Sequence, residues 1–220
     1  MTEGDKRLVQ DDAEEVADAP NDVPPSIEFS RVGLASTFGI FSLLSTKTVV
    51  AVATLGLAIE VAIGWRIGLT AALPAYLFFG LVGWFLALID TFERRIPNLV
   101  ILPSYPIAIA LLVIASALEG KWFALLRGGL GMLLLATFYL VLAIVRSGEL
   151  GFGDVKLAGW LGLVLGWLGW NVLFVGAIAG PALGALGAAA LLVGHRGGRS
   201  TSFPFGPFLI AGALVGILIR

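Results

Sequence analysis

The chain contains no cysteine and one histidine, His195, among its 220 residues. The missing thiols exclude disulfides, cysteine nucleophiles and thiolate metal sites. A lone imidazole gives no basis for a histidine metal centre, so neither metal nor cofactor is expected. Charge is also scarce. Asp, Glu, Lys and Arg make up 13% of the chain against 58% hydrophobic residues, a balance outside that of soluble globular domains. The few acids are unevenly placed. Residues 1–30 hold nine of the 15 acidic residues and only two basic ones, Lys6 and Arg7. Beyond them the acids are Glu60, Asp90, Glu93, Glu119, Glu149 and Asp154. The basic residues are scattered rather than clustered, so no nucleic-acid partner is expected.

What remains is long hydrophobic runs. A helix needs roughly 20 apolar residues to cross the hydrocarbon core of a bilayer. Runs at 48–65, 68–89, 99–118, 122–145, 155–170, 172–194 and 203–219 meet or approach that length. The expected fold class is therefore all-α: a polytopic transmembrane helical bundle of about seven spans. Segment 33–45 is short and reads as an interfacial helix or an extension of the first span. Residues 1–30, acidic and ending in Pro24-Pro25, read as a disordered, solvated cytoplasmic tail. They are too acidic for a cleavable signal peptide, and residues 31–220 form the membrane core. Twenty-nine glycines, including Gly128, Gly129, Gly131, Gly180, Gly184 and Gly187, suit close helix packing in a membrane.

Alternate breaks between spans differ in basic residues. Lys47, Arg94, Arg95, Arg146, Lys156, Arg196 and Arg199 fall on one side, and Arg66, Lys121, Arg127 and Arg220 on the other. The richer side is expected to be cytoplasmic. Trp65, Trp122, Trp167 and Trp170 then fall at the outer interface, where tryptophans anchor.

Ionisable groups are costly in a membrane, which makes each a functional candidate. Glu119 lies beside Lys121 and reads as a solvated pair; Glu93 and Glu149 lie in loops near arginines. His195, beside Arg196, reads as a solvated loop residue. Asp90 and Asp154 differ, because one closes an apolar run and the other opens one, at the same expected face. Two carboxylates at one depth suit peptide hydrolysis. One takes a proton from water while the other, protonated, polarises the carbonyl. The alternatives are structural: Asp90 paired with Arg94, Asp154 with Lys156 or Arg146, or Asp154 set against a helix dipole. Ion binding or proton relay in a small transporter would use the same pair.

The flanking residues point further. Gly151 and Gly153 precede Asp154 and permit close approach of another chain, such as an extended substrate. Asp90 is followed by Arg94-Arg95-Ile96-Pro97-Asn98, and the last span opens with Phe203-Pro204-Phe205-Gly206-Pro207-Phe208. Together with Gly151-Phe152-Gly153-Asp154-Val155-Lys156-Leu157, these segments resemble the type IV prepilin peptidase family, across roughly residues 70–219. The resemblance implies an intramembrane aspartyl endopeptidase with Asp90 and Asp154 as its catalytic pair. It also implies substrate-facing backbone at Gly151, Gly153, Pro204, Gly206 and Pro207. Expected partners are the lipid bilayer of the cytoplasmic (inner) membrane and precursors of pilins, pseudopilins or related filament subunits. Members that also methylate the new N-terminus carry a domain with two cysteine pairs, so a peptidase-only form is expected here. Presenilin-like and signal-peptide-peptidase-like proteases share Gly-x-Gly-Asp and use Pro-Ala-Leu, which occurs here as Pro181-Ala182-Leu183. The Arg-Ile-Pro-Asn and Pro-Phe-Gly-Pro elements favour the prepilin branch.

Overall fold

A computed structural model of the protein describes residues 45–145, 151–193 and 204–220. The acidic tail, most of segment 33–45, Arg146, Glu149, His195, Arg196, Arg199 and Phe203 lie outside them. The described residues form seven α-helices: α1 (Thr46–Ile67), α2 (Leu73–Glu93), α3 (Asn98–Glu119), α4 (Trp122–Val145), α5 (Phe152–Leu168), α6 (Trp170–Val193) and α7 (Gly206–Ile219). Five of them, α1 to α4 and α6 over Trp170–Ala190, are long and apolar enough to cross a membrane. The protein is a multi-pass helical membrane bundle.

Local chemistry sets the helix ends. The Ser45 side chain accepts from the Lys47 N–H and opens α1. Gly68 and Gly120 close α1 and α3 at φ of 72° and 67°, in a region that costs a side chain but not glycine. Two boundaries differ from the hydropathy reading. Helix α2 runs one turn past Asp90, to Glu93, and ends on Arg94 at φ 54°. Asp90 is therefore held inside a regular helix. The break between α5 and α6 falls at Gly169, so Trp170 begins α6.

Glycine governs the packing. In the antiparallel α4–α5 pair, a Cβ on Gly131 would lie 2.5 Å from the Gly162 carbonyl oxygen, and one on Gly128 would lie 2.9 Å from the Leu163 oxygen. A Cβ on Gly162 would in turn overlap the Gly131 carbonyl. Helices α6 and α7 meet in the same way through Gly176, Gly180, Gly212 and Gly216. Association in lipid depends on such close van der Waals contact, because the bilayer supplies no hydrophobic drive between helices. The result places α5 at the centre, with eleven of its 17 residues buried.

The far end of the bundle is tied by polar groups. Arg127 donates from Nε to the Gly166 oxygen and from Nη2 to the Trp167 oxygen, both at 2.6 Å, meeting carbonyls that the end of α5 leaves unpaired. The Tyr76 hydroxyl donates to the Val164 oxygen at 2.8 Å. Lys121 pairs at 2.7 Å with Glu119, the last residue of α3, whose carboxylate is more buried than a solvated loop pair would be. Trp167 is not the interfacial anchor its position suggested. It is 4% exposed, and its indole N–H donates to Ser116 Oγ. Trp65, at 90% exposure, does face outward. Glu60 lies against α2, where a Cβ on Gly80 would come within 2.5 Å of its Oε1.

Candidate active site

The opposite end collects the three sequence segments singled out above. Asp90 sits in the last full turn of α2 and is 5% exposed. A buried carboxylate needs hydrogen-bond donors. One comes from the first residue of α7: the Gly206 N–H donates to Asp90 Oδ2 at 2.9 Å. This N–H is one of the donors that a helix N-terminus leaves free, so Asp90 caps α7 across 116 residues of chain. The approach requires glycine, because a Cβ on Gly206 would lie 2.8 Å from Oδ2 and 3.2 Å from Cγ of Asp90. Pro204 and Pro207 flank this contact, both half-buried. Pro207 stands in the first turn of α7, where its missing N–H costs nothing.

Asp154 lies in the first turn of α5 and is half-buried. Gly151 precedes that helix in extended backbone, and its carbonyl accepts from the Asp154 N–H at 3.0 Å. Asp154 and Asp90 are close enough to interact electrostatically. Two carboxylates from α2 and α5 thus share one end of the bundle, beside the start of α7.

The glycines of the Asp154 segment have different neighbours. A Cβ on Gly153 would lie 3.0 Å from Cβ of Ile96, so the loop after α2 packs onto the start of α5 through this position. Gly151 has no such neighbour. The nearest atom to a Cβ there is Asp154 Oδ2 at 3.8 Å, which leaves exposed backbone beside the carboxylate. Gly153 and Gly206 are thereby filled from within the chain, by Ile96 and Asp90.

Polar contacts between α3 and α5 complete the junction. Lys156 Nζ donates to Asn98 Oδ1 at 2.7 Å, which ties the start of α5 to the start of α3 and directs the ammonium toward the amide. The Tyr105 hydroxyl donates to the Lys156 carbonyl oxygen at 2.5 Å, beside Gly159, where any Cβ would meet that hydroxyl. Lys156, weighed above as a partner of Asp154, meets Asn98 here, and both belong to recognised segments. Tyr105 carried no signal in the sequence, being one phenol within an apolar span.

A family model described as the type IV leader peptidase family matches residues 77–219. Curated relatives named prepilin leader peptidase/N-methyltransferase match as well. The protein of Bacillus subtilis (strain 168) is 34% identical over 159 residues, covering 71% of this chain and 60% of the relative. That of Pseudomonas putida is 29% identical over 167 residues, covering 73% and 54%. That of Stutzerimonas stutzeri is 27% identical over 162 residues, covering 71% and 53%. The chain therefore spans little more than half the length of these relatives. No solved structure matches it significantly.

Proposed function

Since the chain belongs to the type IV leader peptidase family, we propose that it is an intramembrane aspartyl endopeptidase that removes the leader peptide of prepilin-like precursors. Asp90 and Asp154 are its catalytic pair. The observation that carries this reading is the arrangement of the two carboxylates. They come from separate helices, interact electrostatically, and share the end of the bundle where all three family-like segments meet.

The chemistry follows from two carboxyl groups holding one proton between them. The ionised carboxylate takes a proton from water as the water oxygen attacks the scissile carbonyl carbon. The protonated partner gives its proton to the carbonyl oxygen, forming a neutral tetrahedral diol. Collapse returns the diol proton to the second carboxyl group and delivers the first group's proton to nitrogen. The C–N bond then breaks, leaving a new carboxyl end and a new amine. Asp90 is anchored for this work by the Gly206 N–H, and Asp154 by its place in the first turn of α5. The exposed backbone at Gly151 and half-buried Pro204 and Pro207 lie beside the pair and would receive an extended substrate.

The richer basic loops support a cytoplasmic setting for this end in the inner membrane. The substrates are then pilin, pseudopilin or related precursors whose cleavage site reaches that face. The test is cleavage of a co-expressed prepilin in membranes, comparing wild type with Asp90→Asn and Asp154→Asn at matched abundance. Each variant is expected to abolish shortening of the precursor. Cleavage that survives either substitution refutes the assignment of that residue.

A further inference from the structure

Tyr139 lies on α4, within an apolar span. It is 2% exposed, and its hydroxyl oxygen is buried without a hydrogen-bond partner among the described residues. Buried hydroxyls are nearly always paired, because an unpaired one forfeits its hydration without compensation.

Its placement is set by the register of the closely packed α4–α5 pair. Gly128 of α4 meets Leu163 and Trp167 of α5, Gly131 meets Gly162, and Ala136 meets Gly159. Each step along α4 toward its C-terminus is matched by a step along α5 toward its N-terminus. One further turn puts the Tyr139 backbone at the level of Asp154 and Val155, with its ring leaning back toward Leu135, Ala158 and Leu161. From the other side, the Tyr139 ring lies 6.4 Å from that of Phe205, the residue before Gly206. The phenol is therefore wedged between the helix that carries Asp154 and the segment that holds Asp90. Asp154 is near enough for its charge to act on the phenol. The remaining wall is apolar: Leu135, Ala158, Leu161 and Leu209 line the small cavity beside the ring.

We propose that Tyr139 is a positioning residue, whose hydroxyl donates a hydrogen bond to the Asp154 carboxylate when the site closes on substrate. The inference rests on the proposed function above, because it acts through Asp154. A donor on a fixed ring would hold that carboxylate in one orientation, and hydrogen bonds to ionised groups are the stronger ones. Leaving the hydroxyl unpaired at rest costs stability, which the working complex recovers.

That trade supplies the test. Tyr139→Phe keeps the ring and its contact with Phe205 and removes only the oxygen. Purified wild type, Tyr139→Phe and Asp154→Asn are compared for prepilin cleavage kinetics and for thermal unfolding in the same detergent. For Tyr139→Phe, kcat is expected to fall about tenfold or more, with KM within about threefold of wild type and an unfolding temperature no lower than wild type. Wild-type kcat in Tyr139→Phe, with Asp154→Asn inactive, overturns the proposal and leaves the catalytic pair standing. A lowered unfolding temperature accompanying the lost activity makes Tyr139 a packing residue and overturns it too. Cleavage by Asp154→Asn overturns both readings.

Discussion

Gly206→Ala isolates the contact between α7 and Asp90. The backbone at Gly206 is not left-handed, so alanine is conformationally acceptable there and would otherwise favour the helix. The added methyl has no room. It would sit 2.8 Å from Asp90 Oδ2 and 3.4 Å from Asp90 Cβ. The blocking atoms are the end of a side chain rather than backbone, so the carboxylate can swing away while the helices stay in place. Swinging away breaks the 2.9 Å hydrogen bond from the Gly206 N–H. A hydrogen bond to an ionised group is worth about 1.5–3 kcal/mol. If the reaction needs Asp90 in its present orientation, that loss corresponds to a roughly 10- to 150-fold lower kcat. The fold should hold, so membrane abundance and unfolding temperature are expected to stay near wild type. The control is Gly129→Ala on α4, where a Cβ meets nothing within 4 Å. That variant should keep full activity and gain up to about 1 kcal/mol of helix stability. Prepilin cleavage by purified protein, with circular dichroism melting, reads both quantities. A Gly206→Ala enzyme with wild-type kcat would show that the Asp90–Gly206 contact does not position the carboxylate, and the argument would fail.

Two further substitutions test the packing around the site. Gly153→Ala presses a methyl onto Ile96 at 3.0 Å and should displace the start of α5. A roughly tenfold loss of kcat is expected, partly restored by adding Ile96→Gly, which removes the opposing Cβ; the same loss in the double variant would show that Ile96 is not the obstacle. Gly162→Ala places its methyl against the backbone of Gly131 and Met132, which cannot rotate aside. It should destabilise the bundle by about 1–3 kcal/mol, seen as lower membrane abundance and an earlier melting transition, and an unchanged melt would refute the close α4–α5 approach.

The sequence by itself determined the class of fold and named the two candidate carboxylates. Unsatisfied backbone is intolerable in hydrocarbon, so a chain crosses it as apolar helices or as a closed barrel, and long apolar helices announce themselves by composition. The rarity of intramembrane acids singled out Asp90 and Asp154 for the same reason. The three flanking segments then pointed to one family. Only the tertiary structure decided what those segments do for one another. The glycine of Pro204-Phe205-Gly206-Pro207 gives Asp90 its hydrogen bond, and Gly153 makes room for Ile96. Neither relation leaves a local trace, because each joins positions 57 or more apart in the chain. Trp167 shows the limit from the other direction: an interfacial position in sequence became a buried indole once Ser116 was brought beside it. Tyr139 and Tyr105 read as ordinary aromatics of apolar spans. Their hydroxyls gain meaning only from the helix register, which close glycine contacts set and hydropathy does not encode.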